Sequence, residues 1–164
     1  MWEQLLDRLV GFLPRGFPLP RSLTGFSQKA LTAMQLAQND TRGFGLQSVG
    51  TEQILLGLIK ERTGMAWQFL DSVGVNWENA QAEVEKMIGG SRGETPTEIP
   101  LTPGAKEVME LSLEESQQLG HYHIDTAHLL LGLLQKHDSV GATVLENLGV
   151  DRQNLEQRLR QALG

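Results

Sequence analysis

The chain has 164 residues, of which 40% are apolar, and it carries a formal net charge of −6 with a pI near 5.2. This length allows one domain, or two tightly packed lobes, with enough chain to bury a core. None of the 14 lysines and arginines form a run, which argues against nonspecific binding to nucleic acid. The absence of cysteine excludes disulfides, thiolate metal sites and cysteine catalysis.

The start of the chain bears on its compartment. Trp2, Glu3 and Asp7 stand where a secretory signal would have a basic stretch leading into an apolar run. No segment is long and apolar enough to span a bilayer. We therefore expect a cytoplasmic protein with neither a membrane nor a nucleic acid as its partner.

Residues 1–25 predict a short amphipathic helix followed by a proline-rich tether. Apolar residues recur there at helical spacing, namely Trp2, Leu5, Leu6, Leu9 and Leu13. Pro14, Pro18 and Pro20 then prevent the helix from continuing. Such a helix either packs back on its domain or offers its apolar face to a partner. Because this face lies outside the duplication described next, it is surplus to folding, and we expect it to bind a partner.

The rest of the chain is one unit used twice. Residues 26–89 align with residues 101–164 at a constant offset of 75 and without a gap. The matching positions are mainly glycines and apolar residues, as in Leu55-Leu56-Gly57-Leu58 and Leu130-Leu131-Gly132-Leu133. A unit of this length is a supersecondary module, and two copies normally pack as a pseudo-symmetric pair. The linker at 90–100 is rich in glycine, proline and small polar residues.

Each repeat predicts four helices, and no strand pattern is present. Ser27 and Thr102 are suitable N-caps for the first helices, and Thr51 and Thr126 for the strongly apolar second helices. The third helices, 65–73 and 140–148, are expected to end at the left-handed glycines 74 and 149. The fourth begin after Asn76 and Asp151. The fold class is therefore all-α, with eight helices over residues 26–164.

Two pairs of positions in the second helices predict how those helices pack. Leu56 and Leu131 should be buried at the centres of equivalent helices. Gly57 and Gly132 each cost a helix up to about 1 kcal/mol relative to alanine. Their matching placement indicates a close approach by another helix.

Several stretches of the repeats resemble the double Clp repeat at the N-terminus of ClpC-type AAA+ unfoldases. In the first repeat these are Phe26-Ser27-Gln28-Lys29-Ala30, residues 49–59 and residues 69–75. In the second they are Leu101-Thr102-Pro103-Gly104-Ala105-Lys106, residues 126–133 and residues 144–150. The resemblance implies a pseudo-symmetric eight-helix domain that docks substrates or adaptors, which the unfoldases pass to the Clp protease.

The resemblance does not include the ATPase domains of the unfoldases. A nucleotide-cradling loop ends in Gly-Lys followed by Ser or Thr, and this sequence has no Gly-Lys dipeptide. The chain is similar instead to small accessory proteins of the plastid and cyanobacterial-type Clp protease. We therefore expect a stand-alone, non-catalytic accessory or adaptor whose partners are the Clp protease core, a ClpC-type unfoldase, adaptors or protein substrates. The alternative is an independent helical ligand-binding protein or enzyme on the same scaffold.

The family also implies two candidate binding features. Its phosphoarginine pocket, carried over by position, would use Ser27, Lys29 and Glu52 in one repeat, and Thr102 and Lys106 in the other. Ala127 stands where the second glutamate would be, so that carboxylate is expected to be lost. The second feature is Val10-Gly11-Phe12, which resembles the tripeptide that docks Clp unfoldases on their protease.

Catalytic and metal-binding interpretations are poorly supported. His121, His123 and His128 could converge with Asp125 on a metal, but their counterparts in the first repeat include Leu46, Ser48 and Gln53, so we expect solvated or locally bonded histidines without an architectural role. The adjacent Glu114 and Glu115 should lie on a solvated helix face. We expect no cofactor, no metal and no enzymatic activity.

Overall fold

The structure is a computed structural model that describes residues 25–89, 93–97 and 99–164. Within these ranges the chain forms eight helices. They are α1 (Gln28–Gly43), α2 (Thr51–Glu61), α3 (Met65–Ser72), α4 (Trp77–Ile88), α5 (Pro103–Gln118), α6 (Thr126–Gln135), α7 (Val140–Asn147) and α8 (Arg152–Leu163). Of the amphipathic helix and tether expected over residues 1–25, residues 1–24 lie outside the described residues. The all-α architecture of two four-helix repeats is confirmed.

The two repeats match helix by helix. The helices of the first have 16, 11, 8 and 12 residues, and those of the second have 16, 10, 8 and 12. Gly74 and Gly149 follow the third helices with φ of 82° and 83°, a left-handed conformation that favours glycine. Local signals therefore end these helices at equivalent positions.

The predicted caps are confirmed for the first and fourth helices. The hydroxyl of Ser27 accepts from the Ala30 N–H, and that of Thr102 from the Ala105 N–H, each at 3.1 Å. Asn76 and Asp151 likewise accept from the backbone three residues on. These bonds satisfy donors that a helix start leaves without a partner.

The caps predicted for the second helices are wrong. Gly50 and Asp125 hold the cap positions, and Thr51 and Thr126 are the first helical residues. Each threonine instead caps the third helix of the other repeat. Thr51 Oγ1 accepts from the Gly141 N–H at 2.9 Å, and Thr126 Oγ1 accepts from the Ala66 N–H at 3.3 Å.

Helices α2 and α6 occupy the centre of the core. Leu56 and Leu131 are both completely buried, as predicted. A Cβ built on Gly57 would collide with the backbone carbonyl oxygen of Ala33, and one on Gly132 with that of Val108. The close approach is therefore made by α1 on α2 and by α5 on α6, and the two glycines permit it.

The starts of the repeats are exchanged across the pseudo-twofold. Phe26 forms an isolated parallel bridge with Ile124, and Leu101 forms one with Val49. Through these bridges the start of each repeat lies beside the loop that leads into the second helix of the other repeat. Apart from the two bridges, the described part of the chain contains no β structure.

Glu115 departs from the expected solvated face, although its neighbour Glu114 is exposed as predicted. The Glu115 side chain is only 5% exposed and forms a two-pronged ion pair with Arg160, with both N···O distances at 2.6 Å. Gln135 donates a further hydrogen bond to the same carboxylate. Because a buried carboxylate needs charged partners, these contacts join α5 to α6 and α8.

Candidate functional site

A groove of about 660 Å³ lies at the junction between the repeats. The start of α1, the end of α2 and the cap of α6 meet there. The residues that line it are of polar types, and most of these side chains carry a charge or a hydroxyl. The lining residues are Ser27, Gln28, Lys29, Thr32, Glu61, Thr63 and Asp125.

Ser27 and Asp125 form the link between the repeats in this groove. The Ser27 hydroxyl donates to Asp125 Oδ1 at 2.8 Å, across 98 residues of sequence. The same carboxylate oxygen accepts from the Thr126 N–H at 2.7 Å, so Asp125 caps α6 while it holds the start of α1. Each charge-assisted bond of this kind is stronger than a neutral one.

The same groove also carries a cation, Lys29, and an anion, Glu61. The Lys29 ammonium donates to the Thr63 carbonyl oxygen at 3.1 Å. The Glu61 carboxylate accepts from the N–H groups of Thr63, at 3.0 Å, and Gly64, at 2.6 Å. The groove therefore presents one ammonium, from Lys29, and two carboxylates, from Glu61 and Asp125. A ligand with one positive and one negative group would find a partner for each.

The structure regroups the residues that were predicted to share pockets. Ser27 and Lys29 lie with Asp125 of the second repeat, whereas Thr102 lies beside the loop before α2, because its N–H donates to the Val49 carbonyl oxygen at 2.9 Å. Glu52 does not line this groove, and the pocket of Ser27, Lys29 and Glu52 within one repeat stays a prediction. The regrouping follows from the exchange of the repeat starts, which local sequence does not reveal. Lys106 lies exposed on the first turns of α5.

Glu52 lies at the start of α2, outside the lining of this groove. Its carboxylate folds back over Gly50, where a built Cβ would lie 2.5 Å from both carboxylate oxygens. Burial raises the pKa of Glu52, and the opposing contacts with its own N–H and with the Gln53 and Thr51 side chains are weaker.

The second repeat keeps a carboxylate at the equivalent helix start, although its glutamate is absent. Ala127 is buried in the place of Glu52, as the alignment indicates. Asp125, however, stands where the first repeat has Gly50, and its side chain supplies the carboxylate. The glutamate itself is absent, as the sequence indicates, and the loss of the second pocket stays a prediction. Aspartate directly before a helix is a common capping signal, and it could have identified Asp125.

The histidines also differ from expectation, since His128 has an architectural role. It is 2% exposed, and its Nδ1 accepts from the Asp125 N–H at 2.8 Å, as Gln53 Oε1 accepts from the Gly50 N–H in the first repeat. Its Nε2 is 2.8 Å from His121 Nδ1. Burial first, and then His121, lower the pKa of His128 to about 4. Among the described residues, no group of three or more potential ligands could hold a metal ion.

Within the described ranges, no helix combines the length and the apolar character that crossing a bilayer requires.

Comparison with known proteins assigns the scaffold. The chain matches the family described as "Clp repeat (R) N-terminal domain" at residues 25–148 and 113–164. It is 48% identical over 156 residues to "Chaperone protein ClpC1, chloroplastic" of Arabidopsis thaliana, an alignment that covers 93% of this chain and 17% of the relative. It is 52% identical over 139 residues to a chloroplastic ClpA homologue of Brassica napus, which covers 85% of this chain and 16% of that protein.

Solved structures show the same fold. The N-terminal domain of ClpD from Arabidopsis thaliana superposes with a TM-score of 0.72 at 24% identity, over 85% of this chain and 97% of that one. A structure titled "Complex of ClpV N-domain with VipB peptide" gives a TM-score of 0.69 at 15% identity, over 90% and 92% of the two chains. With a family match over most of its length and about half of its residues shared with ClpC-type relatives, the chain belongs to the Clp repeat N-terminal domain family.

Proposed function

We propose that this protein is a non-catalytic docking component of the ATP-dependent Clp protease system, which binds adaptors or protein substrates. The observation that carries the proposal is the 48–52% identity to the ClpC and ClpA relatives, which extends across 85–93% of this chain. The chain spans only 17% and 16% of the length of those relatives, so the activity of the whole relatives is not transferred to it.

The inter-repeat groove is the proposed contact for adaptor or substrate peptides. Its ammonium and two carboxylates complement a peptide side chain that carries both charges, as phosphoarginine does. In that arrangement the guanidinium would face Asp125 and Glu61, and the phosphate would face Lys29. The ClpV structure, whose title names a VipB peptide, supports peptide binding by this fold. Thr102, Lys106 and Glu52 would belong to the equivalent surface on the other side of the pseudo-twofold.

The N-terminal segment is the proposed attachment to the Clp core. Its apolar residues, with Val10-Gly11-Phe12 among them, lie outside the duplicated sequence, and an apolar face of this kind commonly binds a partner. We place the protein in the compartment that holds its Clp machinery. That compartment is the cytoplasm in our sequence interpretation, although the Arabidopsis and Brassica relatives are named chloroplastic.

Affinity capture from a native lysate, with mass spectrometry of the recovered proteins, tests the proposal. The full chain should recover Clp protease or unfoldase subunits. Deleting residues 1–20 should abolish that recovery and leave the melting temperature nearly unchanged. Recovery of an unrelated enzyme complex without Clp subunits would instead favour an independent helical binding protein.

A matched pair of lysine variants tests the groove. Lys29→Glu reverses the charge in the groove, and Lys86→Glu reverses an exposed charge on α4. We expect the first to weaken adaptor or substrate binding about tenfold, because it removes a charge-assisted hydrogen bond, and the second to leave it unchanged. Equal effects of the two variants would place the contact elsewhere.

A further inference from the structure

A second groove, of about 300 Å³, lies on the outer side of the second repeat. It is bounded by the end of α6, the end of α7 and the first turns of α8. The apolar residues at its base are Leu134 and Val150, and the rim is polar. The rim residues are His137, Glu146, Asp151, Arg152, Gln153 and Glu156.

The first repeat fills the equivalent place with its own aromatic side chain. Trp77 is the first residue of α4, as Arg152 is the first residue of α8, and the two are related by the offset of 75. Trp77 packs against the core of the first repeat, and the Lys60 ammonium lies 4.0 Å from the centre of its ring. An indole contributes a large apolar contact area and also attracts a nearby cation.

The second repeat has no aromatic residue at this point. The Arg152 guanidinium donates hydrogen bonds to the Glu146 carboxylate and to the His137 carbonyl oxygen, the latter at 3.4 Å. Gln135, the counterpart of Lys60, donates instead to Glu115. By the offset of 75, the groove lies beside the position that corresponds to Trp77 of the first repeat.

The charges around the groove select the kind of side chain that would enter it. The lining contains three carboxylates, Glu146, Asp151 and Glu156, against two guanidinium groups, since Glu146 pairs with Arg152 and Glu156 pairs with Arg160. This excess of negative charge attracts basic residues next to an inserted side chain. The guanidinium at the rim offers a planar cation on which an aromatic ring can stack.

We propose that this groove is a docking site for an aromatic side chain, flanked by lysine or arginine, in a peptide segment of a partner protein. The ring replaces the missing counterpart of Trp77 above Leu134 and Val150, and the basic neighbours contact the acidic rim. The site is separate from the inter-repeat groove at Ser27 and Asp125, so it does not depend on the function proposed for that groove.

A titration of the full chain with the peptide acetyl-Lys-Trp-Lys-amide, followed by backbone NMR, tests the proposal. We expect saturable shifts at the amides of Leu134, Val150 and Asp151, and none with acetyl-Lys-Ala-Lys-amide. Arg152→Trp should fill the groove with the protein's own indole and weaken binding by at least about tenfold. The matched control Lys86→Trp places the same residue on an exposed part of α4 and should bind normally.

Two further variants keep the test decisive. Gln153→Arg adds a positive charge to the rim at an exposed position and should weaken binding even if Arg152→Trp does not fold. Lys29→Glu, which alters the inter-repeat groove, should leave binding of the tryptophan peptide unchanged. Shifts that arise only at the inter-repeat groove, equal binding by the alanine peptide, or binding that appears only after residues 1–24 are deleted would each overturn the proposal.

Discussion

The two repeats use different side chains to satisfy the backbone N–H groups at the start of their second helix. The first uses Gly50 at the cap, with the Glu52 carboxylate folded over it and Gln53 bonded to the cap N–H. The second uses Asp125 at the cap, and His128 makes the bond that Gln53 makes. A carboxylate and a side-chain acceptor are present both times. The comparison shows that the backbone donors of a helix start set a requirement that several residue types can meet.

The buried acid on the first helix of each repeat shows the same substitution of partners. Asp40, with its side chain 10% exposed, is paired with Lys60 of α2 at 2.6 Å. Its counterpart Glu115 is paired with Arg160 of α8. In both repeats the acid is neutralised, although the cation comes from a different helix. The need to pair a buried charge is therefore stronger than the choice of the residue that pairs it.

The largest expected effect is one that the two repeats share. Leu56→Ala and Leu131→Ala each remove a completely buried side chain from the centre of α2 or α6. Each should lower the free energy of unfolding by about 2–5 kcal/mol, because the densely packed surroundings collapse only partly. Urea denaturation of the two variants measures this. A loss below about 1 kcal/mol in both would contradict the assigned core, and a loss in only one would show that the repeats differ in how their cores relax.

The next largest effect is a pH dependence of stability that arises in the second repeat, at His128. The pKa of His128 is about 4 in the folded protein against 6.5 for the free side chain, so the folded state favours the neutral ring. The stability that the neutral His128 ring contributes is fully present above pH 6.5. It is lost as the pH falls through 4, and the total loss in the free energy of unfolding is about 3 kcal/mol. His128→Gln copies Gln53, the residue that accepts from the cap N–H in the first repeat. Its stability should fall less between pH 7 and pH 4 than that of the wild type.

Denaturation curves of both proteins across this pH range supply the measurement, and His121 is present in both as the common background. Parallel stability curves would show that protonation of His128 does not oppose folding. Gln53→Glu is not a suitable control, since it would add a buried charge. Lys86→Gln, which changes an exposed residue, provides the control instead.

The smallest effect concerns the two buried acids. Arg160→Met leaves the Glu115 carboxylate buried with only Gln135 as a hydrogen-bond partner and should cost about 2–3 kcal/mol. Lys60→Met should cost less, about 1–2 kcal/mol, because the Lys60 side chain is 34% exposed and its pair is partly screened, although the buried Asp40 carboxylate loses its cation. Thermal denaturation of the two variants ranks them. The reverse order would mean that the Lys60 contact with Trp77 contributes more than the ion pair.

The sequence by itself determined the elements of this protein. The duplication, the eight helices, the caps at Ser27 and Thr102, and the burial of Leu56 and Leu131 all follow from spacing or from residues within one helical turn. Such signals are local, so they are readable wherever a helix begins, ends or turns an apolar face inward.

Only the tertiary structure decided which repeat completes which site. The bond from Ser27 to Asp125, and the caps that Thr51 and Thr126 provide to the other repeat, join residues 98, 90 and 60 positions apart. The burial of Glu115 depends in the same way on Arg160, 45 residues further along the chain. The two repeats carry similar local patterns, so each start could pair with either second helix as far as sequence spacing shows. Packing of the two copies around one core selects the exchanged arrangement, because contacts between distant segments are fixed only when both surfaces are formed.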